Sequence, residues 1–268
     1  MSQTTDPVQV HEGDSPVILG LPHTGTFLPD DIRARLNDRG RVLADTDWHI
    51  HRLYDGLLPG ATTVRATFHR YVIDANRGAD DASLYPGQNT TGLVPLTDFD
   101  GQPIWETEPD AGDIADRKAR FHAPYHAALQ AELARVQTRH GVALLYDCHS
   151  IRSYLPFLFD GTLPDFNIGT ANGTSCATSL QLAVLKICEK TVGYSHILNG
   201  RFKGGWTVRH YGNPGQGIHA LQMELAQSTH LEAEAPPFSY SEVKAARLRP
   251  ILAGILRRLS REVLKFRE

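Results

Sequence analysis

Three times along this chain of 268 residues a short apolar run leads directly, or within a few residues, to a titratable side chain. Residues 16–21 (Pro-Val-Ile-Leu-Gly-Leu) lead into Pro22-His23, residues 142–146 into Asp147-Cys148-His149, and residues 218–223 into Glu224. Apolar runs of this length, bounded by turn residues, read as buried strands. Helical patterns lie between them, and alternation of strand and helix argues for an α/β layer structure with a largely parallel sheet. Sites in such sheets lie beyond the carboxyl ends of the strands. His23, His149 and Glu224 are therefore expected to converge although they are far apart in the chain.

The remaining elements follow from periodicity and punctuation. A short helix is expected over residues 30–38, closed by Gly40, and another from about residue 45, with Ile50, Leu53, Tyr54, Leu57 and Leu58 at helical spacing and Pro59-Gly60 as its stop. Residues 61–67 and 71–73 read as strands. Residues 76–109 are rich in Gly, Pro, Asn, Asp and Thr and read as an ordered functional loop, because Leu84, Tyr85, Leu93, Val94, Phe99, Ile104 and Trp105 give it groups to pack. A long helix over 113–140, kinked at Pro124, precedes the second apolar run. Helices over 176–190 and 242–266 and a short strand over 196–198 complete the chain. No repeat, linker or boundary divides it, so residues 1–268 are expected to form a single domain.

Composition removes several classes of function. A net charge of −3 gives no broad basic face for nucleic acid. No apolar run approaches the length of a membrane span, and the first residues lack the basic start and apolar stretch of a secretory signal. Three cysteines cannot build a disulfide framework, which favours a reducing, cytoplasmic setting. Phosphate-loop and dinucleotide fingerprints are absent, as is the nucleophile elbow of serine hydrolases. Cys148 beside His149 is better read as a small core residue than as a nucleophile.

Thirteen histidines remain to be explained. Two imidazoles and one carboxylate form a catalytic zinc set with a position left for water. His23 and His149 supply the imidazoles, and Asp47 is the candidate carboxylate. A histidine after one strand is ordinarily only a satisfied polar residue, so the weight rests on the repetition. In Arg70-Tyr71-Val72-Ile73-Asp74-Ala75-Asn76-Arg77, the arginines have the shape to grip a carboxylate, although pairing with a surface acid is the default for such a group.

Pro22-His23-Thr24-Gly25, Asp45-Thr46-Asp47-Trp48-His49, the stretch from Arg70 to Arg77, Ser83-Leu84-Tyr85-Pro86-Gly87-Gln88, Asp147-Cys148-His149-Ser150 and Gln222-Met223-Glu224 together resemble N-formylglutamate amidohydrolases. The resemblance runs in order over nearly the whole chain, and more distantly it extends to zinc carboxypeptidases and aspartoacylase. It implies an α/β sandwich with a mixed central sheet flanked by helices, one Zn²⁺ per chain, and hydrolysis of N-formylglutamate to glutamate and formate in histidine breakdown. His23, Asp47 and His149 would hold the metal. Glu224 would act as base and then acid, with Arg70 on the oxyanion. Asn76 and Arg77 would bind the α-carboxylate of a small dicarboxylate substrate, and Arg209 the side-chain carboxylate, with Arg152 as a rival.

In zinc carboxypeptidases the first histidine and the acidic ligand lie three residues apart, whereas the first acid after His23 is Asp30. Asp45 therefore competes with Asp47, and His49 and His51 are possible neighbours of the metal. Glu224 could instead be a ligand, and Asp147 could orient one. Another N-acyl acidic amino acid, formylated or acetylated aspartate for example, fits the same residues, as does a non-catalytic carboxylate-binding relative. Oligomeric state is not legible.

Overall fold

The computed structural model describes residues 6–83 and 87–267. In chain order the elements are β1 (Val8–His11), β2 (Val17–Leu21), α1 (Asp30–Arg35), α2 (Asp38–Arg41), α3 (Ile50–Tyr54), β3 (Thr62–Ala66), α4 (Ala111–Arg117), α5 (Ala123–His140), β4 (Ala143–Ile151), β5 (Phe166–Gly169), α6 (Thr178–Lys190), β6 (His196–Leu198), α7 (Trp206–Tyr211), β7 (Ile218–Ala226) and α8 (Glu242–Val263). The strands form one seven-stranded sheet in the order β1-β3-β2-β4-β7-β5-β6. Its middle is parallel, while β1 on β3 and β5 on β7 are antiparallel. The sheet is therefore mixed and flanked by helices, as expected.

Each central strand is buried on both faces, as parallel strands under helices must be. On β4, Leu144, Tyr146 and Cys148 point into the core shared with α3, α6 and α8. Ala143 and Leu145 point the other way, into the core shared with α5. By the two-residue period of a strand, Asp147 and His149 share that second face. Its amino-terminal half is thus apolar and covered by Tyr125, Leu129, Leu133 and Val136 of α5, and its carboxyl-terminal half carries polar groups. Cys148 is a buried core residue.

Several elements differ from the sequence reading, each for a physical reason. The helix expected over 30–38 breaks at Leu36, which turns extended and bridges to Trp105. Asn37 then caps a new turn by accepting the Gly40 N–H at 2.8 Å, so Gly40 lies inside α2. The next helix starts at Ile50, because His49 takes a left-handed φ of 60° and Asp45 to Asp47 are spent in the preceding loop. Residues 71–73 form a buried turn rather than a strand. The Val72 N–H closes on the His69 carbonyl at 2.9 Å, and the buried Arg117 guanidinium donates to the Tyr71 and Val72 carbonyls.

The expected long helix is continuous but widens into a π-helical turn at Lys118–His122, immediately before Pro124, where a ring without an N–H has to be accommodated. Its start is fixed by a reciprocal capping box between Asp110 and Asp113. Strands β4 and β7 run farther than expected, so His149 and Glu224 lie within them rather than beyond their ends. Strands β1 and β5 and helix α7 were not anticipated. In the long loop, Leu93, Val94, Phe99, Ile104 and Trp105 are buried as expected; Leu84 and Tyr85 lie outside the described residues.

Leu145 is fully buried on β4 at the centre of the sheet. Leu145→Ala is expected to lower the unfolding free energy by about 2–5 kcal/mol, measured by chemical denaturation of the metal-free protein.

Candidate active site and metal centre

Three side chains from three parts of the fold meet above the polar half of the sheet face. His23 follows β2 by two residues, Asp47 sits in the loop before α3, and His149 projects from β4. The Asp47 N–H donates to the His23 carbonyl at 3.0 Å, locking the two loops together. One nitrogen from each imidazole and one Asp47 oxygen lie within 4.8 Å of one another, and all three residues are buried. Asp47 Oδ2 is 3.1 Å from His149 Nδ1 and 3.9 Å from His23 Nδ1.

The remaining ring nitrogens face carboxylates. His23 Nε2 bonds Asp74 Oδ1 at 2.7 Å, and His149 Nε2 bonds Asp147 Oδ2 at 2.8 Å. Histidines that ligate metals characteristically donate their second N–H to such a partner, which fixes tautomer and ring orientation. His23 Nδ1 is buried without a hydrogen-bond partner. A lone pair turned toward Asp47 and a neighbouring imidazole is what a cation would occupy.

The electrostatics agree. Burial, reinforced by Arg70, lowers the pKa of His23 and keeps the ring neutral, as a ligand must be. Burial alone would also lower His149, but Asp147 and Asp47 hold it well above the usual range. Burial works against ionisation of Asp47, yet the His149 hydrogen bond and the Arg70 charge outweigh it and lower its pKa. Without a metal, a proton on His149 thus partly offsets the three buried carboxylates of Asp47, Asp74 and Asp147, with Arg70 acting on Asp47 and Asp74 and Arg77 on Asp74. This donor set fits a divalent cation.

Asp45, the competitor of Asp47, is committed elsewhere. It accepts from the Tyr71 hydroxyl at 2.8 Å and from the Phe99 N–H at 2.9 Å, with Arg152 at 3.5 Å. Burial pushes its pKa up to about 6. His49 bonds the Phe238 carbonyl and His51 the Thr24 hydroxyl; neither joins the cluster.

A cavity of about 100 Å³ opens beside the cluster, lined by His23, His149, Arg70, Asp74, Asn76, Arg77, Arg201, Gln222 and Glu224 among others. At roughly 10–15 Å³ per probe-sized water, it has room for about seven to ten water-sized groups, the scale of a small molecule. The parallel register places Glu224 opposite His149 across β4 and β7. Burial raises Glu224 to about 8. Arg70 is anchored to Asp47 Oδ1 at 3.1 Å and packs over the Phe99 ring, with its Nε buried and unpartnered. The Asn76 side-chain Oδ1 accepts the Thr207 N–H of α7 at 2.9 Å, and its side-chain Nδ2 lies 3.2 Å from His149 Nε2. A side chain at Gly205 would collide with that amide, at 2.3 Å. Arg77 bonds Thr90 of the long loop.

Arg209 is not brought to the cavity. It is exposed and turns back to the Gly204 carbonyl at 2.9 Å. Arg152 is likewise engaged with Asp100 and Asp45, outside the cavity lining. The arginine that does reach the cavity beside Arg77 is Arg201, which the sequence reading passed over because it stands in a loop with no periodicity to mark it. Asp74 was visible as part of a motif, but its service to His23 was not. The same holds for Gln222, which links the Gly205 N–H at 2.8 Å to Glu224 at 2.9 Å.

Comparison with known proteins gives a consistent picture. Residues 15–231 match the family model of the N-formylglutamate amidohydrolases. The N-formylglutamate deformylase of Pseudomonas putida is 48% identical over 253 residues, covering 93% of this chain and 94% of that protein. The protein of the same name from Pseudomonas aeruginosa is 46% identical, covering 92% and 93%. The crystal structure of an N-formylglutamate amidohydrolase from Ralstonia eutropha JMP134 superposes with a TM-score of 0.83 at 26% identity, over 97% of this chain and 99% of that one.

Because Glu224 rises from 4.5 to about 8 on folding, the native state binds more protons than the unfolded state across that interval, and stability falls as pH rises through it. Metal-free Glu224→Gln is therefore expected to match wild type below pH 4.5 and to exceed it increasingly toward pH 8. Denaturation midpoints at several pH values check this.

Proposed function

The chain belongs to the N-formylglutamate amidohydrolase family, and from that premise we propose that it hydrolyses N-formyl-L-glutamate to L-glutamate and formate, with one Zn²⁺ per chain held by His23, Asp47 and His149. The observation that carries this reading is the lining of one small cavity. It has a cation-binding cluster, a buried carboxyl group with a raised pKa, and the guanidinium groups of Arg77 and Arg201. That combination suits a short molecule with two carboxylates and one scissile amide.

Zinc bound there would polarise the formyl carbonyl and lower the pKa of a water from 15.7 to roughly 7. The chain supplies the rest. Glu224 takes a proton from the attacking water as its oxygen bonds to the formyl carbon, then delivers that proton to the departing amine as the C–N bond breaks. A carboxyl group whose pKa lies near neutrality is suited to both halves of that transfer. Gln222 holds its Oε2 in place. Arg70, already desolvated and aimed by Asp47, stabilises the oxyanion, a role typically worth about 3 kcal/mol in the transition state. Asn76 and Arg77 take the α-carboxylate, and Arg201, in place of Arg209, takes the side-chain carboxylate. The names of the Pseudomonas relatives support the formyl group and the glutamate. The proposed setting is histidine breakdown in the cytoplasm. No helix among the described residues is long and apolar enough to cross a membrane.

A deacylase acting on N-formyl- or N-acetyl-aspartate is the second reading, favoured by the same pair of arginines. A non-catalytic carboxylate binder is the third, and the intact placement of Glu224 opposite His149 speaks against it.

Two measurements test the proposal. Equilibrium titration of metal-free protein with Zn²⁺ should give one ion per chain, lost in Asp47→Asn and kept in Asp45→Asn; the reverse outcome would make Asp45 the ligand. The zinc-loaded protein should release formate from N-formyl-L-glutamate in preference to N-formyl- and N-acetyl-L-aspartate, and Glu224→Gln should retain the ion while kcat falls about 10²–10⁴-fold. Preference for an aspartate derivative would establish the second reading, and no turnover of any of the three by wild type would favour the third.

A further inference from the structure

A second cavity, of about 400 Å³, lies at the other edge of the sheet and shares no lining residue with the first. Its floor is a small grid on one sheet face. Gln9, Arg65 and Leu21 form one row across β1, β3 and β2, and His11, Thr63 and Leu19 form the next, as the strand registers require. The wall is α3 and the turn after it, through His51, Tyr54 and Leu58. The floor runs from the buried Leu19 and Leu21 on β2 out to the exposed Gln9 and His11 on the edge strand β1.

The informative group is Arg65. Its side chain is half-buried, and its Nε is fully shielded with no hydrogen-bond partner. Burial lowers its pKa, with no carboxylate to offset the effect. Other arginines near this edge are satisfied. Arg135 bonds Glu132, Thr62 and the Gly13 carbonyl, and Arg52 pairs with Glu242. A shielded N–H without a partner is costly, and the planar fork that carries it matches a carboxylate. His51 is bonded to Thr24 and lowered to about 4 by burial and by the charge of Arg65, so it adds a neutral polar wall. Asp55 is the one carboxylate among the lining residues, on the exposed rim. Leu19, Leu21, Tyr54, Leu58, Pro59 and Ala61 supply the apolar part of the lining, and His11 adds a further polar group at its edge.

We propose that this cavity is a second binding site, separate from the catalytic one, for a small organic carboxylate with an apolar body. The carboxylate pairs with Arg65 between Gln9 and Thr63, and the body lies against Leu19, Leu21 and Tyr54.

The probe is benzoate, with benzamide as its neutral counterpart, titrated into the full ¹⁵N-labelled chain and followed by amide chemical shifts. Saturable shifts are expected at residues 9–11, 51–61 and 63–65 with benzoate, and no saturable shifts there with benzamide. Arg65→Gln should weaken binding at least tenfold. Gln9→Glu, at an exposed position paired in register with Arg65, should do the same by placing a competing carboxylate opposite the guanidinium. Because that change lies on the surface, the test survives should Arg65→Gln fold poorly. Shifts confined to the catalytic cavity, equal shifts with benzamide, or undiminished binding in Gln9→Glu would overturn the proposal. None of these readouts depends on the reaction proposed for the first cavity.

Discussion

The parallel ladder between β4 and β7 is the constraint on which the rest of the molecule rests. It runs from Ala143 opposite Ile218 to Ile151 opposite Ala226, and within it His149 faces Glu224 and Asp147 faces Gln222. A strand slipped by one residue turns every side chain to the opposite face. Here such a slip would carry an imidazole and a carboxyl group into the apolar core under α6 and α8, and Leu144 and Leu221 out of it. The hydrophobic pattern at the amino-terminal end of the strands therefore enforces the geometry of the polar groups at the other end. The same face also receives His23 from β2, which pairs with β4 on its other side.

This explains which parts of the site could be seen in the sequence. His23, His149 and Glu224 were legible because each follows an apolar run, and the period of a strand is a strong local signal. Asp47 was harder to place, because the pattern could not say that His49 would turn left-handed and end any helix there. With the helix starting later, Asp45 and Asp47 diverge, one toward Tyr71 and Phe99 and the other toward the imidazoles. Spacing alone offered no basis for that choice. Residues 71–73 were misread because their apolar side chains are indeed buried, but burial of a run does not require a partner strand. Arg117 satisfies their carbonyls instead, from a helix more than forty residues later.

The arginines show the limit from the other side. Arg209 looked suited to a carboxylate by its neighbourhood in the chain, but it lies on the last turn of α7 and faces outward. Arg201 reaches the cavity from a loop, bonding the Leu158 and Asn89 carbonyls at 3.0 and 3.1 Å. Its position depends on two other loops and so has no local signature. The histidine excess divides in the same way. His69 accepts the Tyr71 N–H, His230 bonds the Trp48 carbonyl and His122 the Arg77 carbonyl. Burial lowers the pKa of all three, so they serve as neutral polar joints between loops, a use that composition cannot distinguish from metal binding.

The scatter of the His23, Asp47 and His149 cluster along the chain also bears on how the site is assembled. Asp47 and His149 are separated by 102 positions, and His23 and its partner Asp74 by 51. Strand β4 lies between β2 and β7, so His149 stands on an unprotected sheet edge until β7 is in place. None of the three residues of the cluster has another beside it in the sequence, and long-range pairings of this kind form late. The cavity needs Glu224 as well as His23 and His149, so it exists only once β7 has paired with β4. A cation taken by this cluster would therefore meet it only after the strands have paired, in a sheet already assembled.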